Sequence, residues 1–221
     1  MQQIAWLLHR PHCVKVGSLA VARTPTRLQR ELAGTGTDAN RTPTALDAFR
    51  LARRRWLDGR RVDMSALAID LGVNRVTLYR WVGSRDELLV EIIWSLALRT
   101  LRDIDARTRA TGSERAVLVV RRFLDVVIAN PAMVRWLADE GELAMRLLTR
   151  HDHDFQPRLI AWIEALLREE ADAGRLDVPA DLHEVAYVMV RLIESYTYLD
   201  LITGETPDAR RAEPILRLLL R

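Results

Sequence analysis

The residues best suited to chemistry lie in the stretch ALAIDLGVNRVTLYRWVGSRDELL, residues 66–89. Its middle holds six polar, basic or aromatic side chains, namely Asn74, Arg75, Thr77, Tyr79, Arg80 and Trp81. Arginine, threonine and tyrosine donate hydrogen bonds to phosphate oxygens, and arginine also reads base edges in the major groove of DNA. The stretch therefore indicates contact with a nucleic acid.

The distribution of charge agrees with this interpretation. Residues 41–85 contain ten arginines against four aspartates, whereas residues 86–221 contain 18 arginines against 24 acidic residues. A basic segment joined to an acidic body suggests that one end of the molecule meets a polyanion. The alternative is that the arginines cluster by chance on a solvated face.

Capping signals divide the basic segment and the residues after it into four helices. The expected N-caps are Thr42, Asp63, Asn74 and Ser84, the last in a capping box with Glu87. Between the second and third helices, Ala68 and Gly72 supply the small residue and the turn of a helix-turn-helix. Helix 74–81 then has a polar, basic and aromatic outer face, and such a helix fits a major groove about 12 Å wide.

The run Met64–Leu89 resembles the DNA-binding motif of the TetR family of one-component bacterial repressors. The matching residues are Gly72, Val73, Thr77, Leu78, Tyr79, Ser84 and Leu88. Farther along, ANPAMVRWLADEGELAMRLLTR, QPRLIAWI and RLIESYTYLDLITGETPD show weaker similarity to the QsdR-like branch of that family. Three positions depart from the family pattern: Val76 replaces glycine, Val82 replaces phenylalanine and Arg85 replaces lysine.

The resemblance implies a set of DNA-binding residues: Asn74, Arg75, Val76, Thr77, Tyr79, Arg80, Trp81 and Arg85. Arg75, Thr77 and Arg80 are expected near base edges and phosphates, although Arg75 could contact phosphate alone. The Val76 methyls could touch a thymine methyl, and Arg85 could reach a phosphate. Tyr79 and Trp81 resemble aromatics that contact the DNA backbone, but Trp81 could instead pack in the core. Asn74 is first a helix cap.

The rest of the chain continues as helices at about 84–109, 113–130, 132–149, 155–173, 181–203 and 208–220. No alternating strand pattern and no internal repeat appears. We therefore expect an all-α fold with three parts: a largely disordered arm at 1–40, holding at most one short helix around 18–33, a helix-turn-helix domain at 41–88, and a ligand-binding and dimerisation bundle at 89–221.

The family resemblance implies that the bundle binds a small molecule and forms a homodimer. Apolar residues in 181–203 and 208–220 could build a four-helix interface between subunits, or could serve an ordinary intramolecular core. The ligand candidates are Trp94, Phe123, Trp136, Trp162, Tyr187, Arg191, Glu194 and Tyr198. The similarity to the QsdR-like branch suggests an acyl chain, a fatty acid or a lactone. Against this, Arg191 and Glu194 could be a surface i,i+3 pair, and the tryptophans could be core residues.

An enzyme is the main competing interpretation, because His151, Asp152, His153 and Asp154 could hold a metal ion. No third and fourth ligands stand at a telling spacing, and a polar connector fits the segment better. No phosphate loop, nucleophile elbow or Cys-His arrangement is present, so we expect no catalysis, metal or cofactor. A helix-turn-helix protein that binds no ligand is a further alternative.

Composition indicates the cellular setting. Cys13 is the only cysteine, which excludes an intramolecular disulfide and fits a reducing compartment. The apolar run IAWLL near the start is too short for a signal-peptide core or a membrane span. We therefore expect a cytoplasmic protein with no membrane partner.

Overall fold

The computed structural model of the chain describes residues 25–32, 43–150 and 153–221. Within these ranges it contains helices and no strand, which confirms the all-α fold. The α-helices are α1 (Arg27–Leu32), α2 (Ala45–Leu57), α3 (Met64–Asp70), α4 (Arg75–Val82), α5 (Arg85–Arg107), α6 (Gly112–Ala129), α7 (Pro131–Thr149), α8 (Phe155–Asp172), α9 (Leu182–Thr197), α10 (Leu199–Thr203) and α11 (Glu213–Leu219), with a 3-10 turn at Ala209–Arg211.

Helices α2 to α4 hold the predicted helix-turn-helix, and we refer to them, together with the start of α5, as the DNA-reading unit. Side-chain caps set where its helices begin. Asp63 Oδ1 accepts a hydrogen bond from the Ala66 N–H at 2.7 Å, which starts α3. Asn74 Oδ1 accepts one from the Thr77 N–H at the same distance, which starts α4. Both caps are those that the sequence predicts, because the interaction spans only three residues.

Two further caps are capping boxes. At α5, Ser84 Oγ accepts from the Glu87 N–H at 3.1 Å and Glu87 Oε2 accepts from the Ser84 N–H at 2.7 Å, as predicted. At α2 the cap is Thr44, in a capping box with Asp47, and not the predicted Thr42, which lies outside the described residues.

Helix α1 joins the DNA-reading unit, although the sequence suggests only an arm over residues 1–40. Leu28 is fully buried, and α1 packs on α2 and α4. This helix agrees with the single short helix anticipated around 18–33. The rest of the predicted arm, residues 1–24 and 33–40, lies outside the described residues. The packing of α1 extends the unit to residues before 41, and the domain bounds remain a prediction.

The 23-residue helix α5 runs from the DNA-reading unit into the bundle, where α6, α7 and α8 pack against it. Helix α9 packs on α6 and α8, and α11 packs on α6. Its buried side chains include Leu88 and Ile92 near the unit and Leu101 deeper in the bundle. One rigid helix therefore contacts both parts of the molecule.

The C-terminal helices differ from the prediction. The expected helix 181–203 is interrupted at Tyr198, whose φ of −104° and ψ of 20° separate α9 from α10. The expected helix 208–220 is a 3-10 turn followed by the short α11. In α7, Glu140 has non-helical dihedral angles (φ −138°, ψ 40°) and kinks the helix, which the sequence does not signal with proline.

No helix in the described part of the chain is both long and apolar enough to cross a bilayer.

Candidate nucleic-acid interface and ligand cavity

A glycine turn sets the angle between α3 and α4. Gly72 has a φ of +63°, in the left-handed region that favours glycine. The N–H groups of Gly72 and Val73 donate to the carbonyl oxygens of Ile69 and Ala68, each at 3.0 Å, and so close α3 in a Schellman motif. The turn thereby fixes where α4 begins and which of its side chains face outward.

The outward face of α4 is polar, basic and aromatic. Val76 is 77% exposed and Tyr79 is 40% exposed. The Arg75 guanidinium lies 5.9 Å from the centroid of the Tyr79 ring, so the two side chains lie along one side of the helix. Arg80 and Asn74 are exposed as well, and Thr77 is half-buried. Neither arginine forms an ion pair with any residue that the structure describes, so both can contact phosphates or base edges.

The structure places Trp81 in the core, which corrects its assignment to the DNA-binding face. Trp81 is only 5% exposed, beside Leu78 and Val82, which are also buried. The Arg27 guanidinium of α1 lies 5.6 Å from the Trp81 ring centroid. Residues three and four apart share a helix face, so Trp81 turns inward with Leu78 and cannot reach DNA.

Arg85 is likewise engaged inside the molecule, which contradicts its predicted phosphate contact. Its Nε donates to the Val62 carbonyl oxygen at 2.7 Å, and its Nη2 donates to both carboxylate oxygens of Glu140 at 2.9 and 2.7 Å. The Arg85 side chain is 20% exposed. A phosphate would have to displace Glu140 to reach it.

Glu140, at the kink of α7, holds two arginines of the DNA-reading unit. Besides Arg85, it pairs with Arg61 Nε at 2.9 Å. Burial alone would raise the pKa of Glu140, but the hydrogen bonds and charge of Arg85, aided by Trp136 and Arg61, bring it below its ordinary value. Glu140 is therefore an ionised bridge between the bundle and the unit.

An apolar cavity lies in the bundle, at the level where α5 to α9 meet. It has a volume of about 70 Å3, and its lining includes Trp56 from α2 of the DNA-reading unit. The other apolar lining residues are Ile93, Leu96, Ala97, Phe123, Val126, Val127, Met133, Leu148, Phe155, Leu159 and Ile193. The cavity therefore touches both the bundle and the unit.

The polar end of this cavity is formed by α9. Glu194, Thr197 and Tyr198 line it, and the buried Thr197 hydroxyl has no hydrogen-bond partner among the residues described. Arg191 Nη2 donates to Glu194 Oε1 at 2.6 Å, and Gln156 Nε2 donates to the same oxygen at 3.1 Å. The wall thus offers one unpaired hydroxyl beside a paired carboxyl group.

Burial controls the ionisation of these groups. It raises the pKa of Glu194 to about 7, and the nearby Arg191 only partly offsets the effect. Burial, together with the Glu194 charge, raises the pKa of Tyr198 above its ordinary value. At neutral pH the cavity therefore faces a phenol and a carboxyl group that is about half protonated.

Of the eight predicted ligand residues, Phe123, Glu194 and Tyr198 line this cavity, and Arg191 supports Glu194. The other four point elsewhere. Trp94 packs edge-on against Phe155 with ring centroids 6.1 Å apart, and Trp162 is partly buried against the core. Tyr187 is 41% exposed on the surface, and Trp136 lines a different cleft beside Trp56.

The structure describes only half of the His-Asp segment, residues 153 and 154. His151 and Asp152 lie outside the described residues. His153 and Asp154 are described, and no group of three or more potential metal ligands occurs in the described part of the chain.

Exposed apolar side chains gather on the C-terminal helices. They are Tyr187 and Val188 on α9, Leu201 and Ile202 on α10, and Ile215 and Leu218 on α11, with Leu218 reaching 63% exposure. The predicted α9 stripe itself, including Val185, Met189 and Ile193, is buried in the intramolecular core. Several exposed apolar side chains on consecutive helices are a feature of interaction surfaces.

The sequence alone assigns no site role to Trp56, Thr197 or Glu140, although all three line the two cavities or bridge them to the DNA-reading unit. Glu140 lies between the exposed acidic residues Asp139 and Glu142, so only the packed structure distinguishes it from them.

Comparison with a family model and with known proteins finds similarity to transcriptional regulators. The family described as Tetracyclin repressor-like, C-terminal domain matches residues 111–221. The HTH-type transcriptional regulator BetI of Agrobacterium fabrum is 26% identical over 177 residues, which cover 72% of this chain and 86% of BetI.

Solved structures extend the comparison to the fold. The transcriptional repressor QsdR of R. erythropolis, from the TetR family, is 27% identical with a TM-score of 0.74, over 80% of this chain and 93% of that one. The fatty acid degradation regulator FadR of Bacillus halodurans shares the fold at 16% identity and a TM-score of 0.53, over 82% of this chain and 97% of that one.

Proposed function

Because this chain belongs to the TetR family of DNA-binding transcriptional regulators, we propose that it is a homodimeric repressor, released from a palindromic operator by a small amphiphilic ligand. The observation that carries the proposal is the position of Trp56. This residue belongs to the DNA-reading unit and also lines the apolar cavity of the bundle, so a ligand in the cavity would contact the unit. The similarity to a transcriptional repressor at a TM-score of 0.74 supports the direction of regulation.

Helix α4 is the recognition helix in this proposal. Arg75 and Arg80 have unpaired guanidinium groups on the exposed face, where they can bind phosphates or guanine edges. Tyr79 beside Arg75 is positioned for a backbone phosphate, and the exposed methyls of Val76 can meet a thymine methyl. Thr77 adds a hydroxyl at the start of the helix.

A second copy of the chain completes the DNA-binding form. Helix-turn-helix dimers read half-sites about 34–36 Å apart, which one subunit cannot span. The exposed apolar residues of α10 and α11, including Ile202, Ile215 and Leu218, offer a surface that a second copy would cover. We place the dimer contact there, together with the outer face of α9.

The ligand in this proposal is mostly apolar with one neutral hydrogen-bonding group. The apolar lining suits an acyl chain, and the unpaired Thr197 hydroxyl suits a carbonyl oxygen. Above its pKa of about 7, Glu194 disfavours a fatty-acid carboxylate at that end, because two carboxylates would then be close in a buried site. Of the two classes considered, a lactone therefore fits better than a fatty acid.

Release follows from the size of the cavity. Its volume of about 70 Å3 is far below the roughly 300–1,000 Å3 of typical ligand sites, so a ligand must move the walls. Trp56 and the α5 residues Ile93 and Ala97 are part of those walls. Their displacement would shift the DNA-reading unit and change the separation of the two α4 helices, provided that the ligand prefers the shifted state.

The test is fluorescence anisotropy with the DNA upstream of the protein's own gene, at two salt concentrations. We expect tight, salt-sensitive binding by the wild type, loss of that binding in Tyr79→Ala/Arg80→Ala, and much weaker binding to a scrambled duplex. Arg99→Ala is the control, since Arg99 is exposed on α5 away from α4. Equal binding to both duplexes by every variant would reject α4 as the recognition helix.

The same assay then tests the ligand. A medium-chain lactone should release the wild type from the operator, and a fatty acid of the same length should release it less well at pH 8. Operator binding that no apolar compound alters would instead support a ligand-independent regulator.

A further inference from the structure

A second cavity, of about 440 Å3, lies between the DNA-reading unit and the bundle. The unit contributes the segment from Trp56 to Val62 and the start of α5, and α7 contributes the opposite wall. Its volume is that of a small-molecule site. Trp136 and Glu140 line this cleft and not the apolar cavity, so the two cavities differ in composition as well as position.

Positive charge dominates the walls of the cleft. Four arginines line it, at 60, 61, 85 and 135, against the carboxylates of Asp139 and Glu140. Glu140 is already shared by two of these arginines, and Asp139 is exposed without an ion pair among the described residues. The cleft therefore has more cationic groups than its own carboxylates neutralise.

Arg135 is the arginine of this cleft that has no anionic partner among the described residues. It forms no hydrogen bond or ion pair with any part of the chain that the structure describes. Its guanidinium lies directly over Gly59, where a Cβ atom would collide with it, and Gly59 also has a φ of +70°. A glycine at this turn therefore makes room for the cation at the edge of the cleft.

Two buried donors in the walls are also unpaired. Trp56 is 4% exposed and Trp136 is 7% exposed, and the indole N–H of each lacks a hydrogen-bond partner among the described residues. The Trp136 indole also helps to lower the pKa of Glu140, so Trp56 is the more isolated donor of the two. Buried donors are normally satisfied by an acceptor. Both indole nitrogens are closed to solvent in this structure, so a ligand in the cleft becomes their acceptor only when the walls around it move.

We propose that this cleft binds a small oxyanion, a carboxylate or phosphate compound whose oxygens accept from the Trp56 and Trp136 indoles and pair with Arg135. Such a ligand satisfies the two indole donors and the unpaired cation together, and charge-assisted hydrogen bonds to oxyanions are the strong ones. It also competes with Glu140 for Arg61 and Arg85. The site thus gives the joint between unit and bundle a second ligand site, which shares only the Trp56 wall with the apolar cavity.

The test is a titration of the 15N-labelled full chain without DNA, followed through the indole N–H signals of its six tryptophans. Trp56→Phe and Trp136→Phe identify the two signals of interest. Sodium phosphate and citrate are added in separate titrations, with sodium chloride at the same ionic strength as reference. We expect saturable shifts of those two signals with phosphate, citrate or both, and none with chloride.

Arg135→Gln should raise the half-saturation concentration about tenfold, because it removes the charge that pairs with the oxyanion. Arg99→Gln, which removes an exposed arginine outside the cleft, should leave that concentration unchanged. A response to phosphate alone identifies a phosphate ligand, and a response to citrate alone identifies a carboxylate. The proposal is overturned if the shifts do not saturate, if all six indoles respond alike, or if Arg135→Gln binds as the wild type does. No DNA is present, so these outcomes leave the operator-binding proposal untouched.

Discussion

Arg85 at the start of α5 donates to both carboxylate oxygens of Glu140 in α7, at 2.9 and 2.7 Å, across 55 residues of sequence. Arg85 also binds the Val62 carbonyl oxygen just before α3. One ion pair therefore connects the loop that leads into the helix-turn-helix, the long helix α5 and the bundle.

Glu140→Gln should lower the free energy of unfolding by about 1–3 kcal/mol, because it leaves Arg85 half-buried without its anionic partner. Urea denaturation at pH 7 measures the change. Glu142→Gln is the control, since Glu142 is exposed on the same helix. Equal stability of the two variants would show that the ion pair contributes nothing to holding the unit on the bundle.

Trp81→Ala should lower the free energy of unfolding by about 3–5 kcal/mol, because it removes a buried aromatic ring from the small core of the DNA-reading unit. Trp81→Phe, which keeps most of the ring, should bind the operator with nearly wild-type affinity. Denaturation and anisotropy on both variants separate the roles. A stable Trp81→Phe variant that no longer binds the operator would show that Trp81 contacts DNA.

Arg75→Gln should distinguish phosphate contact from base contact. If Arg75 pairs only with a phosphate, affinity falls for all duplexes and the slope of log K against log salt decreases in magnitude by about 1. If it reads a base, one operator position also becomes tolerant of substitution. Anisotropy against single-base operator variants gives the answer, and an unchanged slope with unchanged specificity would remove Arg75 from the interface.

Glu194 should make stability depend on pH. Its pKa is about 7 in the folded state against an ordinary 4.5, so the folded chain binds the proton more tightly than the unfolded chain. The stability of the wild type relative to Glu194→Gln should therefore fall as pH rises from about 4.5 to about 7, by on the order of 3 kcal/mol, and level off above.

Denaturation of both proteins between pH 4.5 and 8.5 tests the Glu194 prediction. Glu184→Gln, at an exposed position in the first turn of α9, is the control and should show no such trend. A constant difference between wild type and Glu194→Gln across this range would mean that water reaches the carboxyl group.

Leu218→Glu should break the proposed dimer without unfolding the chain, because Leu218 is 63% exposed in the isolated subunit and a charge there is costly only when a partner covers it. Light scattering should give half the wild-type mass, and operator affinity should drop. Val134→Glu, at a 52% exposed position on α7, is the matched control. A dimeric Leu218→Glu variant would move the interface to another surface.

The sequence alone determined the elements whose causes are local. Asp63, Asn74 and Ser84 cap helices by bonds that span three residues, and Gly72 makes its turn with carbonyls of the same helix. Those short-range interactions were enough to predict the helix-turn-helix and the exposed face of α4. They also sufficed for the all-α class, since helical periodicity depends on the residues of one segment.

Tertiary structure decided the position of side chains that suit two different environments. Trp81 can stack on DNA or fill a core, and the packing of α1 and α2 on α4 places it inside. Arg85 can bind phosphate or carboxylate, and the kink at Glu140 brings the carboxylate to it. Likewise the ligand cavity takes Phe123, Glu194 and Tyr198 but leaves out Trp94 and Trp162, because a cavity is made by faces of several helices. Which faces meet depends on contacts distant in sequence, and helical period does not encode them.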